Sequence, residues 1–209
     1  MAARKPAGAR ARRATPRTSD TRTRILQAAR RLFIGEGWAA FTTRRVAREA
    51  GVSLGSLQHF FPSKEQLLAG MLEEVIADYG RRYAELEGAP PPNAEERLLA
   101  AVELLVNDIW RVESRKFFMN LFALSCHNVF AGRLLNEVYA HHRRRMATYV
   151  AAARPGLAER DCLDLGLMIA GLIEGLMIYT VPDAKAVGSR AQLVALVRRT
   201  VRRLIGPAA

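Results

Sequence analysis

No stretch of the chain alternates apolar and polar residues at the period of a strand, and none repeats internally. Sulfur is scarce. Two cysteines, Cys126 and Cys162, form neither a disulfide framework nor a metal-binding spacing, which leaves buried free thiols in a reducing compartment. The sequence signatures of catalysis are missing too: no G-x-S-x-G, no H-E-x-x-H and no glycine-rich phosphate loop. Cys126 and His127 are chain neighbours and would point about 100° apart on a helix. His141-His142 alone is a weak metal signal. Nothing therefore calls for an enzyme, a metal or a cofactor. The N-terminus lacks the apolar core of a signal peptide, so a cytoplasmic protein is expected. The longest apolar run, residues 165–181, is 17 residues long and carries Glu174 inside it. That is short for a membrane span and better suited to a packed helix.

Acidic residues are rare in the first third. Residues 1–62 hold 13 Lys/Arg against 3 Asp/Glu, a net of +10 within a total of +12, and the remaining 147 residues contribute 19 against 17. A cationic N-terminal portion followed by a near-neutral remainder suits a nucleic-acid-binding domain joined to one with another task. Residues 1–18, rich in Arg, Ala and Pro without apolar periodicity, are expected to be a disordered basic arm. Such an arm is either a solubilising tail or a source of nonspecific phosphate contacts.

What is present is helical periodicity almost throughout. Residues 21–36 place Ile25, Ala28, Ala29, Leu32 and Phe33 at steps of three and four, with Gly35 and Gly37 as the close and Trp38 and Phe41 completing a small core. Residues 42–61, TTRRVAREAGVSLGSLQHFF, then read as helix, tight turn, helix. Gly51 can adopt the positive φ of a helix C-terminus, and Ser53 can cap the next helix. Val46, Ala47, Ala50, Val52 and Leu57 form the packing face. Arg44, Arg45, Arg48, Ser56, Gln58 and His59 occupy the other faces, in residue types that reach phosphates and base edges. A helix-turn-helix of this kind sets its second helix in the major groove of DNA. Ser63 and Gln66 then open a further helix as a capping box.

These pieces, ILQAARRLFIGEGWAAFTTRRVAREAGVS followed by GSLQHFFPSKEQLL, resemble the DNA-binding domain of the tetracycline-repressor (TetR) family of bacterial transcription regulators, over residues 19–80. The resemblance implies a phosphate contact from Thr43, base reading by Arg44, recognition-helix positions at Leu54, Gly55, Ser56, Gln58 and His59, and a phosphate contact from Lys64. Gln58 stands where the family often has Tyr, and Phe60 where it has His or Tyr. Gln58 suits adenine, while Phe60 forfeits one phosphate contact.

Beyond residue 80 the expected fold stays all-α, about nine helices in total, with residues 81–209 as a ligand-binding and dimerisation domain. The fourth helix should run past Gly80 towards Leu86 and stop at the 87–92 breaker. A fifth follows from Asn93 to near Glu113. A sixth holds Phe117 to Leu124, a seventh residues 130–153 and an eighth residues 159–179, ended by Pro182. The ninth opens at Ser189 with Gln192 as a second capping box. The eighth is apolar nearly all round and so must be covered on more than one side. Its small residues Gly166, Ala170, Gly171 and Gly175 permit close helix approach. Resemblance to the family implies a four-helix bundle across a two-fold axis, with Leu193, Leu196, Val197 and Leu204 of the ninth helix joining in, and a homodimer on a palindromic operator. It also implies an inducer pocket for a small molecule, with Trp110, Phe118, Phe122, His127, Tyr139, His142, Met146, Tyr149, Met168 and Glu174 as candidate liners. Glu174, a carboxylate among apolar residues, needs a partner: an Arg or His across the dimer, or a cationic inducer. A repressor released by its ligand is the reading drawn from this. An activator of the same fold and a nonspecific architectural DNA-binding protein are the alternatives.

Overall fold

The computed structural model describes residues 16–89, 91–179 and 188–206, with side chains from Asp20 onward. The basic segment 1–15, Pro90 and Pro182 lie outside the described residues. Among those described the chain forms nine α-helices and no strand: α1 (Pro16–Ala40), α2 (Thr43–Ala50), α3 (Leu54–Phe60), α4 (Lys64–Gly88), α5 (Ala94–Ile109), α6 (Val112–Ser125), α7 (Val129–Ala153), α8 (Glu159–Tyr179) and α9 (Arg190–Ile205).

Local chemistry sets most of the helix starts. Ser53, Ser63, Asn93, Asn128 and Ser189 each turn a side-chain oxygen onto a backbone N–H three residues on, satisfying a donor that the first turn leaves free. At Ser189 the reciprocal bond is present as well, from the Ser189 N–H to the Gln192 side chain at 2.7 Å. At Ser63 only the serine half of the expected box forms. α2 ends at Gly51, whose φ of 65° and ψ of 39° are left-handed and return its N–H to the carbonyls of Ala47 and Arg48.

Two boundaries differ from expectation. α1 begins at Pro16 and continues through Gly35 to Ala40, with its break at Gly37 (φ 71°, ψ −172°). Only Gly37 leaves the helical region; Gly35 remains inside it. The fifth helix stops at Ile109, short of Glu113, and α6 opens after an extended Arg111 (φ −75°, ψ 125°). Asp108, just before that stop, is buried and accepts hydrogen bonds from two residues of α4, Tyr79 and Arg82, which fixes the end of α5.

Helices α1–α3 enclose a compact head whose core is Ile25, Leu26, Phe33, Phe41, Val46 and Leu57, all fully buried. α4 enters that core through Leu67 and Leu68 and leaves it as one unbroken helix for the larger helical part. There α5 is central, with α9 against it through Leu193, Val197 and Val201. Three carboxylates of α5 (Glu95, Glu96 and Glu103) meet Arg154, Arg198 and Arg202 across this seam. Arg154, only 7% exposed, also caps two helix C-termini, donating to the carbonyls of Ala153 (2.7 Å) and Gly206 (3.0 Å from Nε). α7 and α8 lie so close that a Cβ on Gly166 would stand 2.8 Å from the Ala147 nitrogen. α6 reaches back to the head: Asn120 Nδ2 donates to the Phe33 carbonyl at 2.8 Å, and the Phe117 ring meets Phe33 edge-on at 5.5 Å.

Candidate functional site

The head presents α2 and α3 on its surface. Arg44 and Arg48 are exposed and make no ion pair among the described residues. Arg45, expected on the same outward surface, is instead engaged within the head by Glu36 through a forked contact at 2.6 and 2.7 Å. That hydrogen-bonded guanidinium holds the Glu36 carboxyl below its ordinary range. Arg24 of α1 closes the turn from beneath, donating to the carbonyls of Ala50 (2.7 Å) and Gly51 (3.3 Å). The cationic surplus is thus divided: some arginines build the motif and others are left facing solvent. Thr43 sits half-buried at the first position of α2, after Thr42, which caps the helix. On α3, Gly55, Gln58 and His59 are exposed, whereas Leu54 and Ser56 are half-buried. Phe60 is half-buried and takes the His59 ring edge-on at 5.5 Å. Lys64 begins α4 with its Nζ 3.9 Å from the centre of the Trp38 ring, which stacks on Phe41 at 5.5 Å. The negative face of the indole attracts the ammonium and so positions it.

The second feature is a cavity of about 380 Å³ where α4, α5, α6, α7 and α8 meet. α4 contributes Leu72, Ile76, Tyr79 and Tyr83, α5 Leu105, and α6 Phe118. α7 contributes Leu134, Val138, Tyr139, His142 and Arg145, and α8 contributes Glu174. Of the ten candidate liners read from the sequence, Phe118, Tyr139, His142 and Glu174 line this cavity and the other six do not. Phe122 stands behind it, stacked on Tyr139 at 5.6 Å. Met146 is fully buried in the core. Tyr149 packs beside Tyr83 and donates to Glu87 at 3.2 Å. Trp110 is half-buried at the end of α5, His127 is exposed at the turn into α7, and Met168 is 59% exposed on α8. Tyr79, Tyr83 and Arg145 were missed. Tyr79 and Tyr83, one turn apart on a helix that follows the turn motif, were the available signal.

The electrostatics of the cavity are unusual. Burial pushes the Glu174 carboxyl up to about 7, with the Asp108 charge adding to the rise and the Tyr139 hydroxyl working against it. Burial likewise raises the hydroxyls of Tyr79, Tyr83 and Tyr139. It lowers His142 to about 4, so that ring is neutral near pH 7. Tyr79 is secured from outside the cavity by its 2.5 Å bond to Asp108, which Arg82 neutralises at 2.9 Å. The Tyr139 hydroxyl is near enough to Glu174 to feel its charge, but the pair is not closed into a hydrogen bond of good geometry. Among the described residues the buried side-chain polar atoms with no partner are Tyr83 Oη, Tyr139 Oη and Glu174 Oε2, and all three belong to cavity-lining residues.

The residues expected at a dimer face also divide. Gly166 is packed against the α7 backbone, and Ala170, Leu193 and Val197 are buried within the chain, so their contacts are internal. Helix rotation decides this: the small-residue pattern of α8 serves two faces, one towards α7. Gly171 and Gly175 have open space around them, and Leu196 and Leu204 are exposed. They share the outside of α8 and α9 with Leu163, Leu167, Met168 and Ile178. By length and composition α8 could cross a membrane, and 33% of its most apolar stretch is buried within the chain.

Residues 25–71 match the family of bacterial regulatory proteins, tetR family, and residues 94–206, more than half the chain, match the BetI-type transcriptional repressor, C-terminal family. The chain belongs to the TetR family. It is a DNA-binding transcriptional regulator whose C-terminal part is BetI-type. It is 32% identical to the HTH-type transcriptional regulator BetI of Cronobacter sakazakii over 144 residues, 66% of this chain and 67% of that one. A transcriptional regulator of Pseudomonas aeruginosa PAO1 has the same fold, with TM-score 0.76 and 20% identity over 94% of this chain and 95% of that one. A Saccharomonospora viridis regulator solved in complex with choline aligns with TM-score 0.67 and 25% identity over 90% of this chain and 96% of that one. The BetI relatives of this TetR-family chain are transcriptional regulators.

Proposed function

We propose that the protein is a homodimeric repressor that binds a palindromic operator and is released by an organic cation in the α4–α8 cavity. The observation that carries this reading is the grouping of three buried polar atoms without a hydrogen-bond partner, Glu174 Oε2, Tyr139 Oη and Tyr83 Oη, on one cavity. A buried carboxylate without a partner is costly, and a cation among aromatic rings removes that cost. The choline bound by the Saccharomonospora viridis relative supports the same chemistry.

In this reading Arg44, Gln58 and His59 meet base edges, Thr43 and Lys64 meet phosphates, and Leu54, Gly55 and Ser56 let the start of α3 approach the groove. The head, residues 19–80, is the reading unit, and residues 81–209 form the dimerisation unit and, together with Leu72, Ile76 and Tyr79 of α4, the ligand-binding unit. The basic arm, residues 1–18, adds nonspecific phosphate contacts in the cytoplasm. The outward stripe of α8 and α9, including Leu167, Gly171, Gly175, Leu196 and Leu204, pairs with its copy about a two-fold axis and so sets the spacing of the two heads.

Two helices link cavity to head. α4 carries Tyr79 and Tyr83 at the cavity and Lys64 at its first position. α6 carries Phe118 at the cavity wall, and that ring meets Phe117, which meets Phe33 of α1, each at 5.5 Å. A cation drawn towards Glu174 moves the α4 tyrosines relative to α7 and shifts both heads out of register. Fluorescence anisotropy with the promoter fragment of the protein's own gene tests this. Choline is expected to release the duplex, and a complex indifferent to any alkylammonium ion would refute the reading.

A further inference from the structure

The cavity holds charge of both signs, and the positive one is also without a partner. Arg145 of α7 lines it with its guanidinium carbon 4.3 Å from the centre of the Tyr83 ring. Among the described residues Arg145 forms no ion pair, whereas Arg82, on the facing helix, is engaged by Asp108 at 2.9 Å. The neighbouring carboxylate Glu73 faces Arg22 at 3.4 Å. A guanidinium lying over an aromatic ring keeps its in-plane N–H groups available, and their fork matches a carboxylate or phosphate. The unpaired Tyr83 Oη is beside it as a further donor.

The two charges are displaced along the cavity. Tyr139, which faces Glu174, precedes Arg145 by six residues on α7, about 9 Å of helix rise. Tyr79, near Glu174, likewise precedes Tyr83, near Arg145, by one turn of α4. Both walls therefore run in the same order, the Glu174 end first and the Arg145 end second. His142 between them is neutral near pH 7, and the other titratable residues of the lining, Glu73, Glu137 and His141, are exposed to solvent, which screens them.

We infer that the effector is a zwitterion, with an ammonium head at Glu174 and a carboxylate or phosphate group gripped by Arg145 and Tyr83. This rests on the cation reading above and adds to it a second, anion-binding subsite. A cation alone fills one end of the cavity and leaves the Arg145 fork to water.

Isothermal titration of the full-length protein with trimethylammonio-carboxylates of increasing chain length, each beside its own methyl ester, separates the two readings. At one intermediate length the acid is expected to bind about tenfold or more tighter than its ester, the range of a charge-assisted pair. Arg145→Met should abolish that difference by weakening the acid without weakening the ester, and its circular dichroism and melting curve show that it is folded. Glu174→Gln should weaken acid and ester alike. If esters bind and no acid exceeds its ester, the inference fails and the cation reading survives. An acid preference that persists in Arg145→Met also overturns it. If neither acids nor esters bind, both readings fail.

Discussion

Glu174 is held where its charge destabilises the fold, and replacing it with glutamine should show by how much. Its carboxyl is pushed from an ordinary 4.5 up to about 7, chiefly by burial. At about 1.4 kcal/mol per pH unit, that difference corresponds to roughly 3 kcal/mol. Because the folded-state value is raised, the contribution of the neutral acid is fully present below pH 4.5 and is lost as pH rises through 7. At pH 8 the wild-type chain therefore bears the whole cost of a buried charge, and Glu174→Gln bears none. The new amide brings N–H groups that also need acceptors, which reduces the net gain to about 1–3 kcal/mol. For a chain of this size that is an increase in Tm of several degrees at pH 8 and almost none at pH 5. His142, lowered from 6.5 to about 4, costs stability as pH falls below 6.5, but it does so in wild type and variant alike and cancels in their difference. Thermal melts followed by circular dichroism at both pH values, at one fixed protein concentration, make the comparison. An equal difference at pH 5 and pH 8, or a variant less stable at pH 8, would refute the reasoning. Saturating choline at pH 8 should reverse the order, stabilising wild type and not Glu174→Gln.

Arg44→Ala should cost about 1–3 kcal/mol on the operator and relax preference at one base pair, while Lys64→Ala weakens all sequences alike and flattens the salt dependence; binding to operator and random duplexes across a salt series distinguishes them. Asp108→Asn removes the buried carboxylate that holds Tyr79 and Arg82, leaving Arg82 only the more distant Asp78 at 3.8 Å, and should destabilise by about 1–3 kcal/mol, read by chemical denaturation. Gly166→Ala puts a methyl 2.8 Å from the α7 backbone and should cost about 1–3 kcal/mol, whereas Gly171→Ala, with open space around it, should leave the folded chain undisturbed. Leu167→Arg places a charge on the outward stripe of α8 and should turn a dimer into a folded monomer in sedimentation equilibrium.

Much of the fold was legible because its signals are local. Gly51, Ser53, Asn93 and the Ser189–Gln192 box each act within a few residues of themselves, and all took the roles their spacing suggested. What escaped was chemistry between residues distant in the chain. Arg24 closes a turn 26 residues away, Arg45 turns back to Glu36, and Arg154 caps α9 from α7. Periodicity cannot show these, because each depends on how one helix is rotated against another. The cavity was hard to read for the same reason. Phe122 and Tyr139 are equally plausible liners by residue type, but stacking leaves Tyr139 facing the space and Phe122 behind it. Glu174 was the one cavity residue whose sequence context demanded a partner, and its Oε2 remains unpaired within the chain.

The most direct measurement is the affinity of wild type and Glu174→Gln for an inverted-repeat duplex selected from random sequence, with and without saturating choline, at pH 8. Choline should weaken wild-type binding by about tenfold or more and leave the Glu174→Gln complex intact. Equal wild-type affinity with and without choline, or the same release in Glu174→Gln, would contradict the account.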